Sequence, residues 1–151
     1  TLIPFGLPLP TGEAEMIGEM LGELNGRIVG QRVVSGYHMG GPLKIESTME
    51  TKGKILGQEV TLIATFSRRE RPQGGMISMG QGILMTKDGG KAMLRGAGVS
   101  VTPKGPGWSM RGTRYAQTAV PALKRLNEAA LLFEIEIAPD MTVKDKWWEW
   151  K

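Results

Sequence analysis

Residues 76–101 read MISMGQGILM, TKDGGK, AMLRGAGVSV. Two ten-residue segments rich in apolar residues flank a turn centred on Asp88-Gly89. A tight hairpin turn needs positive φ, which glycine supplies, so Asp-Gly between two such segments predicts an antiparallel pair. Gly80 and Gly82 sit near the centre of the first strand, Gly96 and Gly98 near the centre of the second, and Gly112 near the centre of the next. Glycine inside a strand marks a bend or a close approach of backbone, and strongly curved barrels need such kinks. The glycines therefore predict a curved sheet. The alternative they allow is a smooth patch where another chain or the N-terminal arm packs.

Outward from this hairpin the pattern repeats. Residues 43–51 alternate cleanly, with Leu43, Ile45 and Met49 on one side and Lys44, Glu46 and Glu50 on the other. That period of two is the mark of a half-buried strand. Residues 59–66 follow, with Val60, Leu62, Ala64 and Phe66 on one face. Further strands are predicted at 27–35, 108–118, 131–137 and 142–150. Pro121, Leu123 and Leu126 interrupt them with a short helical segment near 121–130. Residues 11–25 are ambiguous. Met16, Ile17, Met20, Leu21 and Leu24 make a helical stripe, but Gly18 and Gly22 oppose a helix, at about 1 kcal/mol each. Asn25-Gly26 reads as a hairpin turn that pairs 11–25 with 27–35.

Eight strands on short turns run antiparallel. Eight is also a number that closes into a small barrel, with room inside for side chains or one small ligand. The fold class expected is all-β: one antiparallel up-and-down β-barrel of about eight strands. A Pro-rich N-terminal arm (1–10) precedes a single barrel domain (11–151). A length of 151 residues suits one domain with a real core. No apolar run approaches the ~20 residues that span a bilayer, and residues 1–10 lack the basic start of a signal peptide. With no cysteine, disulfides and thiolate chemistry are excluded, and a cytoplasmic location is the expectation, with a processed secreted form as the alternative.

The net charge of +4 is unevenly spread. Residues 1–50 sum to −3, 51–125 to +10 and 126–151 to −3. In a meander the two acidic ends meet at the closing seam, opposite the basic strands. Such a layout suits a solvated surface, an anionic partner, or copies packing acidic face to basic face.

The stretch from Gly75 to Val99 resembles the central hairpin of the allene-oxide-cyclase-like barrels, a group that includes the dirigent proteins and is calycin-like in build. The shared pattern is a Gly-rich strand, an Asp-centred turn and a returning Gly-x-Gly strand. About 25 of the 151 residues carry it. The resemblance implies an eight-stranded barrel, often trimeric, with an apolar cavity, in which some members shape a reactive ligand. It carries over no catalytic residue.

No serine elbow, P-loop, dinucleotide fingerprint or EF-hand occurs. The single histidine, His38, excludes a His-based metal cluster, so neither metal nor cofactor is expected. The candidates for moving a proton are Glu46, Tyr115 and His38. Glu46 shares its strand face with Lys44 and Glu50, which points it outward, while the reversed parity would make it a buried acid inside the barrel; His38 reads as an exposed loop residue. The candidates for contacting a ligand are Arg95, Arg111, Tyr115, Trp108 and Trp148. Arginine offers a planar fork of donors suited to an anion, yet a buried arginine without a partner is costly, which favours an outward placement for Arg95 and Arg111. Residues 68–71, Arg-Arg-Glu-Arg, read as a charged, solvated hairpin tip, too little for nucleic acid. The functional expectation is a barrel that binds a mainly apolar small molecule in its interior. The alternatives are a cofactor-free cyclase or isomerase in the same cavity, and a self-assembling barrel that docks its N-terminal arm on a neighbour. A homo-oligomer is expected, with no nucleic-acid or membrane partner.

Overall fold

The computed structural model describes residues 18–36 and 41–151. They form a closed antiparallel barrel, strand pairing with the next from β1 to β8 and β8 with β1. The strands are β1 (Glu19–Ser35), β2 (Lys44–Ile55), β3 (Gln58–Glu70), β4 (Met76–Thr86), β5 (Lys91–Val101), β6 (Trp108–Thr118), β7 (Ala130–Ile137) and β8 (Thr142–Trp150). The all-β, eight-stranded expectation holds. Closure leaves no sheet edge unpaired. The N-terminal arm and His38 lie outside the described residues.

Alternation fills the interior from one face of each strand. Leu24, Met49, Leu62, Phe66, Leu84, Leu94, Met110, Phe133, Ile135 and Trp147 are all buried there. The central glycines face inward and sit opposite one another, Gly80 with Gly96 and Gly98 with Gly112. They leave room for larger neighbours: a Cβ on Gly80 would come within 2.7 Å of the Phe66 Cβ, and one on Gly98 within 2.9 Å of the Phe133 ring. The smooth inner wall is thus covered by the chain's own side chains.

One end is sealed. A 3-10 helix, Pro121–Glu128, lays fully buried Leu123 and Leu126 across it. Asn127 clamps the helix to the end of β6, accepting from the Thr118 N–H (2.8 Å) and donating to its carbonyl (2.9 Å). Arg125 ties the helix to the closing seam through Glu19 (2.5 Å) and Glu149 (2.8 Å). The acidic seam expected from the charge layout is thus met by Arg125 of the helix and by Lys144 and Lys151. Arg125 and Lys151 hold the Glu19 carboxyl down to about 2. A carboxyl lowered in this way supports the fold above its ordinary range and loses that support as pH falls toward 2. The stability difference between the parent and Glu19→Gln should therefore be present at neutral pH and fade as pH falls from 4.5 toward 2. A difference that stays constant in acid unfolding titrations would show that the seam does not depend on this charge.

The sequence reading of β1 is corrected. Asn25-Gly26 is not a hairpin turn; β1 runs through it as one 17-residue strand. It pairs with β2 on one side and β8 on the other, with register shifts at Met20/Gly22, Ile28/Gly30 and Val33/Ser35 that let it coil around the barrel. Gly26 is required by close approach, because its Cβ would sit 1.9 Å from the Glu50 carbonyl oxygen. The charged hairpin tip is corrected too. β3 extends to Glu70, and Arg68 continues the inward stripe of Val60, Leu62, Ala64 and Phe66. Among the described residues no helix is long and apolar enough to cross a membrane.

Candidate functional site

Several of the residues singled out in the sequence project from the outer wall. Glu46 points outward from β2 and pairs with Arg32 on β1 at 3.3 Å. Arg111 lies between Glu134 (3.5 Å) and Glu136 (2.9 Å) of β7, outside the barrel. Arg95 and Tyr115 are cross-strand neighbours on the outside of β5 and β6, with Tyr115 63% exposed. Trp148 is buried, and by alternation with Trp147 it belongs to the outer side of β8. None of these five turns its side chain inward, since each strand's inward parity belongs to its neighbours. Trp108 alone stands at a barrel mouth, half-exposed on the inward face of β6.

The charged groups inside the barrel are others. Arg114 and Asp145 form a buried ion pair, Nη1 to Oδ2, at 2.9 Å. Asp145 is fully buried and also accepts from the Trp147 indole N–H at 3.0 Å. The Arg114 guanidinium lies between two rings, 4.3 Å from the Phe133 centroid and 4.6 Å from that of Trp147. Such stacking suits a weakly hydrated planar cation. Burial pushes the Asp145 carboxyl above its ordinary range, opposed by Arg114 and the Trp147 N–H. Its second oxygen, Oδ1, has no hydrogen-bond partner among the described residues.

The second inward charge is Arg68, near the end opposite the helix. It is 6% exposed, and its guanidinium lies 5.6 Å from the centroid of the Trp108 ring. Among the described residues no carboxylate pairs with it, and its Nε is buried without a partner. Desolvation lowers its pKa, which is the signature of a cation held against its preference for water. Ser78, buried, stands directly across the β3–β4 ladder from it. Ser47, also buried, lies opposite Phe66, one inward position further into the barrel. Ser47 accepts from the side chain of Gln31 at 3.3 Å. The mouth is thus a polar patch of two hydroxyls and one cation that no carboxylate pairs among the described residues.

Beneath this ring is an apolar cavity of about 50 Å³. Ser78 lines it together with Met49, Phe66, Met110, Phe133 and Arg114. Drug-sized ligands occupy roughly 300–1,000 Å³, so the interior is mainly filled by its own side chains. No cluster of three or more metal-ligating side chains occurs among the described residues.

No family model matches the chain, and no curated protein matches it by sequence. Solved structures do match. A conserved protein of unknown function from Rhodopseudomonas palustris is similar at 12% identity, TM-score 0.72, over 86% of this chain and 94% of that one. A protein of unknown function from Clostridium acetobutylicum is similar at 12% identity, TM-score 0.74, over 88% and 98%. A β-barrel-like protein from Acinetobacter baumannii is similar at 13% identity, TM-score 0.71, over 88% and 94%. At such identities the likeness is one of fold: the chain is a small β-barrel, and the allene-oxide-cyclase-like group is not specifically indicated.

Proposed function

We propose that the barrel binds a small amphipathic anion at its open mouth. The anionic group, a carboxylate or a comparable oxyanion, bonds to the guanidinium of Arg68, and the apolar end lies against Trp108 and enters the cavity below. The observation that carries this reading is Arg68, buried, desolvated and, among the described residues, without a carboxylate to neutralise it. A buried charge is normally paired or hydrogen-bonded, because leaving it alone costs several kcal/mol. A ligand oxyanion satisfies the free Nε and the positive charge together. The small interior, about 50 Å³, limits the inserted part to a few heavy atoms, so the rest of the ligand stays in the mouth.

Hexanoate and benzoate, each matched with its neutral alcohol, test this directly. The readouts are tryptophan fluorescence and titration calorimetry. The carboxylates should bind saturably, the alcohols should bind at least tenfold more weakly, and Arg68→Met should lose the difference. The same variant should unfold at a higher temperature than the parent, by the equivalent of about 1 kcal/mol, because a buried cation that no carboxylate pairs among the described residues is replaced by an apolar side chain of similar length. Equal binding of acid and alcohol, or an Arg68→Met protein that still prefers the acid, would remove the proposal.

Catalysis of a cyclisation or isomerisation in the same space is a second reading. It is favoured by one observation, the inward-facing Arg114–Asp145 pair with its unpartnered Oδ1. Glu46 and Tyr115, on the outer wall, are not in reach of the interior. A barrel of this kind would lose turnover in Asp145→Asn while Glu46→Gln kept it.

A further inference from the structure

The outside of β3–β6 differs from the rest of the barrel. Thr65, Gln81, Arg95 and Tyr115 form one straight row across the four strands, each opposite the next in the ladder. The row beside it carries Ile63, Ile83 and Met93. The row on its other side carries Met79 and Ala97. Met79 is 64% exposed, Met93 53% and Tyr115 63%. Arg95 is the single charge among these positions. Charges resume at the margins, with Lys91 beyond one apolar row, Arg69 and Arg111 beyond the other, and Glu46 and Glu50 on β2. The wall is also dished here, with hollows flanking Gln81, Arg95 and Tyr115. Tyrosine, methionine and arginine are enriched at protein interfaces, while lysine, glutamate and aspartate are depleted.

We propose that this face binds the same face of a second copy of the chain. The surface is self-complementary about a two-fold axis that lies in the interface, along the strand direction, between β4 and β5. That operation sets each Arg95 opposite the partner copy's Gln81, a donor fork against an amide oxygen. Tyr115 then meets Thr65, Met93 meets Ile83 and Met79 meets Ala97, so that in most pairs a large side chain faces a smaller one. The sheets pack aligned, as face-to-face sheets do. Because the barrel has no free edge, copies cannot join by strand-to-strand pairing, which leaves packing between faces as the way two walls can meet. Four strands and about seven residues span roughly 19 by 23 Å in projection. That is about half of the ~800 Å² per partner of a standard interface before the relief of the side chains is counted. The dimer is accordingly of moderate affinity.

The test is sedimentation velocity and equilibrium across a wide concentration range. The parent should pass from monomer to dimer and no further through this face. Met79→Lys should weaken the dimer by roughly a hundredfold, since about a tenfold loss per site enters twice across a two-fold axis. Gln81→Lys, which sets lysine against Arg95, should weaken it similarly, and Gln81→Glu should tighten it in a salt-dependent way. All of these positions are on the outer wall, so circular dichroism should report an intact barrel in each variant. A parent that sediments as a monomer throughout, or an oligomer indifferent to Met79→Lys and Gln81→Lys, overturns the proposal.

Discussion

Asp145→Asn should destabilise the barrel by about 3–5 kcal/mol, the usual cost of removing one partner of a buried ion pair. For a protein of this size that is roughly a 10 °C fall in Tm. Asparagine keeps the volume and an oxygen for the Trp147 N–H, so nearly all of the loss comes from stranding the Arg114 cation between Phe133 and Trp147. Arginine does not deprotonate in the accessible range, so the stranded cation cannot escape its burial by losing a proton. Arg114→Met should behave differently. It strands a carboxylate whose pKa burial already raises, and that group can take up a proton instead. A folded-state pKa above the unfolded one favours folding below the unfolded value, and the advantage disappears as pH rises through the folded one. Arg114→Met should therefore be mildly destabilised near pH 4 and progressively more so toward neutral pH. The double variant Arg114→Met/Asp145→Asn should recover most of the parent's stability, because no buried charge remains unpaired. Urea unfolding of the four proteins at several pH values measures all of this. Flat pH dependence in Arg114→Met, or additive losses in the double variant, would mean that the two groups do not act as a pair.

The architecture was legible because the strands announce themselves by period two and by their turns. Leu43–Glu50 alternates cleanly, and Asp88-Gly89 joins β4 to β5 as the sequence implies. Parity also gives the outward direction of Glu46. Asn25-Gly26 misled, because the same dipeptide that suits a turn also suits a strand whose neighbour's carbonyl approaches within contact distance. Local chemistry cannot separate those cases; the need of β8 for a partner does. The interior charges were missed for another reason. Arg95 and Arg111 stand in more conspicuous company, and residues 68–71 read locally as a solvated tip. The available signal was parity. Arg68 extends the stripe of Val60, Leu62, Ala64 and Phe66; Arg114 shares its face with Met110 and Ala116; Asp145 shares its face with Val143 and Trp147. A charge in phase with an apolar stripe is a charge inside the barrel. Two of opposite sign, on strands whose inward faces look at each other, foretell an ion pair.

Gly112→Val should be nearly as damaging as loss of the ion pair, although it removes no interaction. A Cβ at residue 112 would lie 2.1 Å from the Ala97 carbonyl oxygen, 2.6 Å from the Gly98 Cα and 2.8 Å from the Phe133 ring. Two of these are backbone atoms of the paired strand and cannot rotate away. The third belongs to the ring that covers Arg114. An ordinary overpacked core residue costs about 1–3 kcal/mol, and the wall here must itself move, so a loss of at least about 3 kcal/mol is expected. The contrast is Gly57, at the β2–β3 turn, where an added Cβ meets nothing within 4 Å but φ is +76°. Gly57→Ala should cost only the strain of that backbone conformation, about 1–2 kcal/mol. If sterics set the glycine wall, the damage should scale with side-chain size at 112, alanine before valine, and Phe133→Leu should relieve part of it. Phe133→Leu by itself removes a ring that stacks on Arg114 and should destabilise the parent. Opposite signs of the same substitution in the two backgrounds would therefore identify Phe133 as the group that the missing Cβ accommodates. Equal loss in both would assign the cost to the β5–β6 backbone contact alone.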